Sequence, residues 1–154
     1  KKNNIDIILF YGSLLGYIRG NDFIDNDDDI DVLVPRSKLH LLKELIKVNN
    51  LKTSKNDGIL NENIIQLYDD EYGGPFDIYI YDEEEEDILI KHDGNLLFSK
   101  KDMLPLKSVK FYDLDILIPN NAEEILKQTY GDNYMTPRPK NYNWYDINNV
   151  RFKK

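Results

Sequence analysis

The 154-residue chain contains no cysteine. That removes disulfides, thiolate zinc centres and cysteine nucleophiles together. Histidine is nearly as scarce. His40 and His92 stand far apart and in no metal-ligand spacing, so a histidine zinc centre is not expected. No apolar run approaches the roughly 18 residues that a membrane-spanning helix needs, and no secretory signal pattern opens the chain. Basic clusters are missing as well. The formal net charge is −8, whereas a nucleic-acid binder presents a basic face. Extended nucleic-acid binding is therefore disfavoured, although a single nucleotide held through a metal ion is not. A hydrophobic fraction of 41% is enough for the core of one domain over residues 1–154. The opening Lys1-Lys2, without Met, fits a domain excised from a longer protein.

Against these absences stands one excess. Residues 23 to 34 read FIDNDDDIDVLV, with five aspartates in the seven positions 25 to 31. Adjacent carboxylates repel one another, and burial raises the cost. The run that follows has the composition of a buried strand, so either water or a cation must solvate the cluster. An EF-hand is excluded. Counted from Asp25, Ile30 stands where the turn glycine belongs and Arg36 where the bidentate glutamate belongs. Asp27, Asp28 and Asp31 have the spacing of helical diphosphate-binding sites, but the β-branched residues and Pro35 that follow put them in the wrong context.

Residues 5 to 11 predict a buried strand, broken at Gly12-Ser13. A short helix follows, capped by Ser13 and ending near Gly20. Residues 29 to 34 predict a strand with Ile30, Val32 and Val34 on one face and Asp29, Asp31 and Leu33 on the other. Ser37 is positioned to cap a helix over 38 to 48, with Leu39, Leu42, Leu45 and Ile46 on one face. Strands are expected at 63 to 69 and 76 to 82, separated by a Gly73-Gly74-Pro75 turn. In the second, Asp77, Tyr79 and Tyr81 oppose Phe76, Ile78 and Ile80. The acidic run 82 to 87 reads as a solvated loop. Residues 109 to 119 predict a hairpin or bent strand pair. Asn120 or Asn121 then caps a helix that ends at Tyr130-Gly131, with Glu123 and Glu124 in its first turn. The tail from Tyr134 reads as irregular.

Asp29 and Asp31 lie two apart on a strand, so their side chains point the same way, about 7 Å apart at the backbone. That spacing suits two oxygens reaching one hard cation. Mg²⁺ favours one or two carboxylates completed by phosphates and water. Asp77 repeats the arrangement on a second strand. If those strands pair, three carboxylates converge, and their mutual repulsion becomes affinity for a divalent ion. Gly12-Ser13 at a helix N-terminus offers backbone N–H groups and a hydroxyl to a phosphate. Arg19 is placed for a second phosphate oxygen. Each feature alone is weak. Most Gly-Ser pairs are turns, Asp-x-Asp is more often surface than site, and a single strand aspartate is as often structural as ligating. In this order, however, they form the pattern of the nucleotidyltransferase fold, an α+β architecture with a mixed sheet flanked by helices.

The stretch FYGSLLGYIRGNDFIDNDDDIDVLVPR closely resembles the LicD family, which includes bacterial phosphocholine transferases and fukutin-like ribitol-phosphate transferases. The family pattern is Gly-Ser/Thr-Leu-Leu-Gly, two residues, Arg, then Phe-Ile-Pro-Trp-Asp-Asp-Asp-Ile-Asp. Gly12, Ser13, Leu14, Leu15, Gly16 and Arg19 match it, as do Phe23, Ile24, Asp27, Asp28, Asp29, Ile30 and Asp31. Phe76-Asp77-Ile78, Leu104-Pro105-Leu106 with Val109 and Phe111, Pro119-Asn120 and YGDNYMTP from 130 to 137 extend the match over nearly the whole chain. Two departures stand out. Asp25-Asn26 replaces the usual Pro-Trp, and the zinc-binding cysteines of some fukutin-like members are absent.

The resemblance implies Mg²⁺-dependent transfer of a substituted phosphate from a CDP-linked donor to a carbohydrate hydroxyl, with CMP released. Mn²⁺ is the alternative ion. Asp29 and Asp31 are the implied metal ligands, and Asp77 either completes the metal site or accepts the acceptor's proton. Gly12 and Ser13 would hold the diphosphate, Arg19 would stabilise developing charge, and Asp27 would act as an outer or substrate-facing residue. Lys107 is a weaker candidate, more simply a solvated strand lysine. Trp144 and Tyr142 are candidates to stack a base, though packing is the commoner role of such residues. Two other readings share these residues: a strict nucleotidyltransferase that leaves NMP on its acceptor, and a non-catalytic nucleotide- or glycan-binding module.

Overall fold

Apolar runs too short for stable helices build the centre of a mixed sheet. The computed structural model describes residues 4–53, 59–69, 71, 73–92, 94–139 and 150–154. Tyr142 and Trp144 lie outside these residues. In chain order the elements are β1 (Ile8–Leu9), α1 (Tyr11–Gly20), β2 (Ile30–Pro35), α2 (Leu39–Val48), β3 (Lys52–Thr53), β4 (Ile59–Asn61), β5 (Ile64–Asp69) and β6 (Gly73–Glu83). They continue with β7 (Asp87–Ile90), β8 (Leu96–Ser99), α3 (Lys100–Met103), β9 (Lys107–Phe111), β10 (Leu114–Ile118), α4 (Ala122–Tyr130) and β11 (Arg151–Phe152). The sheet order is β11-β8-β7-β6-β2-β1-β10-β9, with β5 added on β6, and β3 and β4 on β5. The predicted α+β architecture, a mixed sheet flanked by helices, is the one that forms.

Two parallel pairings decide the topology. β2 runs parallel to β6, and β1 parallel to β10, while β1–β2, β5–β6 and β6–β7 are antiparallel. β6 is 11 residues long. It pairs with β2 along one edge and with β5 and then β7 along the other. Arg36 braces this arrangement just after β2. Its Nε and Nη2 grip Asp82 at 2.6 and 3.2 Å, and its Nη1 donates to the Glu62 carbonyl at 2.7 Å. The paired geometry ties the ends of β2 and β6 together more firmly than a single contact would.

Val32, Leu33 and Val34 of β2 are all buried, so apolar residues on both faces of the alternating strand are covered, as befits a strand in the middle of a sheet. Each such side chain contributes about 1.5–3 kcal/mol on leaving water. That is the favourable term holding the buried Asp31 in the same strand. The core continues through Phe10, Leu14 and Leu15 of the β1–α1 segment to Ile125 and Leu126 of α4.

Several local expectations are corrected. The strand predicted over 5 to 11 is short, and α1 begins at Tyr11, with Phe10 in extended geometry as its N-cap. Ser13 is thus inside the helix. The helix stops as expected near Gly20, and Asn21 closes it at φ 53°, a left-handed conformation that asparagine tolerates. Ser37 caps nothing; it lies in a 3₁₀ turn before α2. Gly73-Gly74-Pro75 is the start of β6, not a turn. Much of the acidic run belongs to the β6–β7 hairpin. Asn121 takes the N-cap position of α4 without a side-chain cap, and its amide nitrogen donates to Asp102 Oδ1 at 3.4 Å. The hairpin at 109 to 119 and the end of α4 at Gly131 are as predicted. Among the described residues no helix is long and apolar enough to cross a membrane.

Candidate active site

The site grows out of the junction between β1 and α1. The chain turns there in the shortest possible way, with Tyr11 at φ 41°. Asp31 is fixed against this junction from both sides. Its carbonyl accepts from the Phe10 N–H at 3.0 Å, and its N–H donates to the Ser13 hydroxyl at 2.9 Å. Ser13 is completely buried. Its oxygen faces the strand, not the cavity, so the expected direct grip on a phosphate becomes a strut under Asp31. The Gly12 backbone hydrogen-bonds the Asp31 carboxylate. A Cβ on Gly12 would sit 2.8 Å from Asp27 Oδ2 and 3.4 Å from Asp31 Oδ2, so the glycine leaves the space that two carboxylates fill.

The parallel pairing of β2 with β6 puts Asp31 directly opposite Asp77. Asp29, just before β2, completes the group. The nearest carboxylate oxygens of Asp29, Asp31 and Asp77 all lie within 4.8 Å of one another. The expected convergence is therefore present. Asp27, Asp28 and Asp29 form a second set at the same spacing.

The loop that carries these acids is anchored at its start. Gly16 lets it approach α1 closely: a Cβ there would lie 2.4 Å from the Asp22 carbonyl oxygen. Phe23 packs edge-on to Phe111 at 5.0 Å and stacks on Tyr112 at 5.8 Å, and Tyr112 hydrogen-bonds Asp22. The loop then turns through Asn26 at φ 63°, in the position where the family pattern has tryptophan.

The electrostatics follow from this crowding. Burial first, then repulsion from Asp29, Asp77 and Asp27, pushes Asp31 up to about 8. Burial, a hydrogen bond with Asp29 and repulsion from Asp29 and Asp28 push Asp27 up to about 7. Asp77 is raised too, by burial above all, although a hydrogen bond from Gln66 and the nearby His92 oppose the shift. Asp77 Oδ1 is buried with no hydrogen-bond partner among the described residues. An orphaned carboxylate oxygen beside two more carboxylates, with no nitrogen or sulfur ligand in the set, fits a hard divalent cation such as Mg²⁺.

A cavity of about 930 Å³ opens beside the cluster, at the upper end of the usual range for ligand sites. Asp27, Asp29, Asp31, Gly12 and Arg19 line it, and so do Tyr11, Tyr79, Tyr130, His92 and Arg138. Sequence reasoning overlooked this last group. Tyr79 carried a signal, being two residues from Asp77 on the same strand face. His92 and Arg138 carried none. The Tyr79 ring lies 4.9 Å from Tyr11 and 5.3 Å from His92, forming an aromatic wall. Lys107 is exposed on β9 and outside the cavity. Arg19 does reach the cavity, but Nε and Nη2 donate to the Tyr134 carbonyl at 2.8 and 2.5 Å. Nη2 also donates to the Thr136 carbonyl at 3.1 Å.

A mixed sheet that brings Asp-x-Asp and a third strand aspartate to a strand–helix junction defines a transferase of the nucleotidyltransferase type. The chain belongs to the LicD/FKTN/FKRP nucleotidyltransferase-domain family, whose model matches residues 4–121. Its general chemistry is accordingly that of a nucleotidyltransferase domain. No curated protein matches the chain. Among solved structures it is similar to the lincosamide antibiotic adenylyltransferase LnuA with lincomycin bound. The identity is 15%, the TM-score 0.49, and the alignment covers 75% of this chain and 70% of that one.

Proposed function

We propose that this chain transfers a substituted phosphate, such as phosphocholine or ribitol phosphate, from a CDP-linked donor to a carbohydrate hydroxyl. The observation that carries the reading is the convergence of Asp29, Asp31 and Asp77 in a domain of this family. In the proposed reaction the acceptor oxygen attacks the phosphorus that bears the carried group. A P–O bond forms to the acceptor, the P–O bond to the bridging oxygen breaks, and CMP leaves with its electron pair. Such transfers need charge neutralisation and in-line placement more than covalent help.

Asp29, Asp31 and Asp77 would hold the ion, Mg²⁺ or Mn²⁺, which when bound supplies positive charge to the phosphate oxygens. Asp31 and Asp77 belong to paired strands, so their positions are set before the donor arrives. The orphaned Asp77 Oδ1 serves as the third metal-facing oxygen or takes the acceptor's proton. Gly12 lines the cavity in the first turn of α1; its own N–H holds the Asp31 carboxylate, and the turn's positive end favours an anion. The diphosphate is assigned to this turn. Ser13 contributes through its hold on Asp31, and Asp27 faces the substrate side of the cluster.

The test is incubation of the chain and Mg²⁺ with CDP-choline, CDP-ribitol, CTP and ATP, labelled on either half, together with carbohydrate acceptors. Release of CMP with transfer of the distal phosphate supports the reading. Transfer of NMP with release of pyrophosphate would make the chain a strict nucleotidyltransferase. Nucleotide binding without any transfer would reduce it to a binding module.

A further inference from the structure

A second cavity, of about 590 Å³, borders the first along the acid-bearing loop: Phe23, Asp27, Asp28 and Asp29 line both. Its volume is ordinary for a small-molecule site. Asp29 also belongs to the proposed metal set, so a molecule seated in the second cavity meets a carboxylate that faces the ion. The floor comes from the same strand pairings that build that set. Ile30 of β2 stands opposite Phe76 of β6, and Phe76 opposite Leu67 of β5. Tyr68 and Pro75 form the next pair, and all of these residues line the cavity. Alternate residues of a strand face opposite ways. Ile30, Leu67 and Phe76 therefore project from the sheet face opposite Asp31 and Asp77, and the two cavities meet at the 27–29 loop.

Two properties define what fits there. The first is open apolar surface: Tyr68 on the floor is 48% exposed, and Leu51 at the wall 46%. The second is the sign of the charge. Asp27, Asp28, Asp29 and Asp69 line the cavity, and among the described residues no Lys, Arg or His does. Such a lining repels anions. It suits a molecule with an apolar face and many hydrogen-bond donors. A neutral sugar has both: C–H groups along its ring for the aromatic and aliphatic floor, and hydroxyls that donate to carboxylates. A quaternary ammonium fits less well, because it calls for several open ring faces around it. Phe23 gives one face to Tyr112, Phe76 is half-buried, and Tyr68 is the exposed ring of the lining.

We infer that the second cavity seats the acceptor, an uncharged saccharide lying on Tyr68 and the β5–β6 floor with its reacting hydroxyl directed past Asp29 towards the first cavity. Saccharides bearing uronate or phosphate are rejected by the carboxylates around it. The inference rests on the proposed reading of the first cavity as the donor site, and deepens it by placing the acceptor and naming its charge. Two cavities meeting at one loop suit an in-line transfer, in which the attacking and leaving oxygens stand on opposite sides of the phosphorus.

A glycan array tests it, printed with neutral saccharides and with their uronate-, sialate- and phosphate-bearing counterparts, and incubated with the full chain in Mg²⁺. Binding should be confined to neutral saccharides. The tightest of these is then titrated calorimetrically into the chain and its variants, beside CDP and choline. Tyr68→Ala should weaken saccharide binding about 2- to 10-fold, the size of one aromatic contact. Tyr68→Phe, which keeps the ring, should restore it. CDP binding should be the same in both. Leu51→Ala, outside β5, should weaken saccharide binding in the same direction, and it carries the test if Tyr68→Ala does not fold. A preference for acidic glycans overturns the inference, as does an array with no glycan bound, or saccharide binding that ignores both alanine variants. Choline binding that is lost in Tyr68→Ala, with no saccharide bound, also overturns it and gives the cavity to a cationic group. In each of these cases retained CDP binding leaves the donor reading standing. Absence of CDP binding by the unaltered chain overturns the donor reading, whereas the saccharide titrations judge the second cavity independently.

Discussion

Asp31 and Asp77 stand opposite each other in the parallel register of β2 and β6, each 6% exposed. Two buried carboxylates in register repel, and the neighbouring Asp29 adds to the repulsion. The strand pairing that builds the core therefore also builds a site whose comfort depends on a proton or a cation.

Mg²⁺ or Mn²⁺ should accordingly stabilise the protein. At about a hundred times the dissociation constant, an ion that binds only the folded state adds about 2.7 kcal/mol. For a chain of this length that is roughly 5–10 °C in melting temperature. Asp31→Asn should abolish most of the rise. An equal rise in Asp31→Asn would move ion binding elsewhere, to the exposed acids of the β6–β7 turn.

Without metal, acid should stabilise the fold. Burial and neighbouring carboxylates lift Asp31 from 3.8 to about 8 and Asp27 to about 7. A carboxyl raised in this way binds its proton more tightly in the folded chain than in the unfolded one. Its contribution is complete below 3.8 and is lost as pH climbs through the folded values. Urea midpoints in a chelator should be higher near pH 5 than near pH 8, and Asp31→Asn should narrow the gap. A gap of the same size in Asp31→Asn would remove Asp31 as its source.

Gly12 and Gly16 should fail differently when changed to alanine. At Gly12 the new methyl meets the ends of the Asp27 and Asp31 side chains, which can move. Gly12→Ala should keep its melting temperature within a few degrees but lose ion binding by about tenfold or more, as misplaced ligands do. At Gly16 the methyl meets the Asp22 backbone, which must shift as a unit. Gly16→Ala should lose about 1–3 kcal/mol. Paired melting and ion titrations separate the two, and the reverse pattern would refute both assignments.

Ser13→Ala removes the acceptor of the Asp31 N–H. An unpaired buried donor costs about 1–3 kcal/mol. The expected result is a lower urea midpoint, and weaker Mg²⁺ binding because Asp31 loses a support. Equal stability with impaired CDP binding would instead return Ser13 to the phosphate.

The local features were legible in the sequence. The hairpin of β9 and β10 and the helix ending at Gly131 follow from short-range patterns. So does the strand of Asp31, because a run of apolar residues next to acids has few ways to satisfy both. Gly12, Asp29 and Asp31 were legible for the same reason: their relation is set within one strand–helix–strand unit. Tertiary structure decided the rest. The place of Asp77 beside Asp31 was conditional until β6 paired with β2, a contact between distant segments that no local pattern encodes. Gly73-Gly74-Pro75 has turn composition, but pairing with β5 holds Gly73 and Pro75 in β6. The role of Arg19 was the least legible. Its partners are main-chain carbonyls 115 and 117 residues away. Every residue type carries such a carbonyl, so only the fold could select these two.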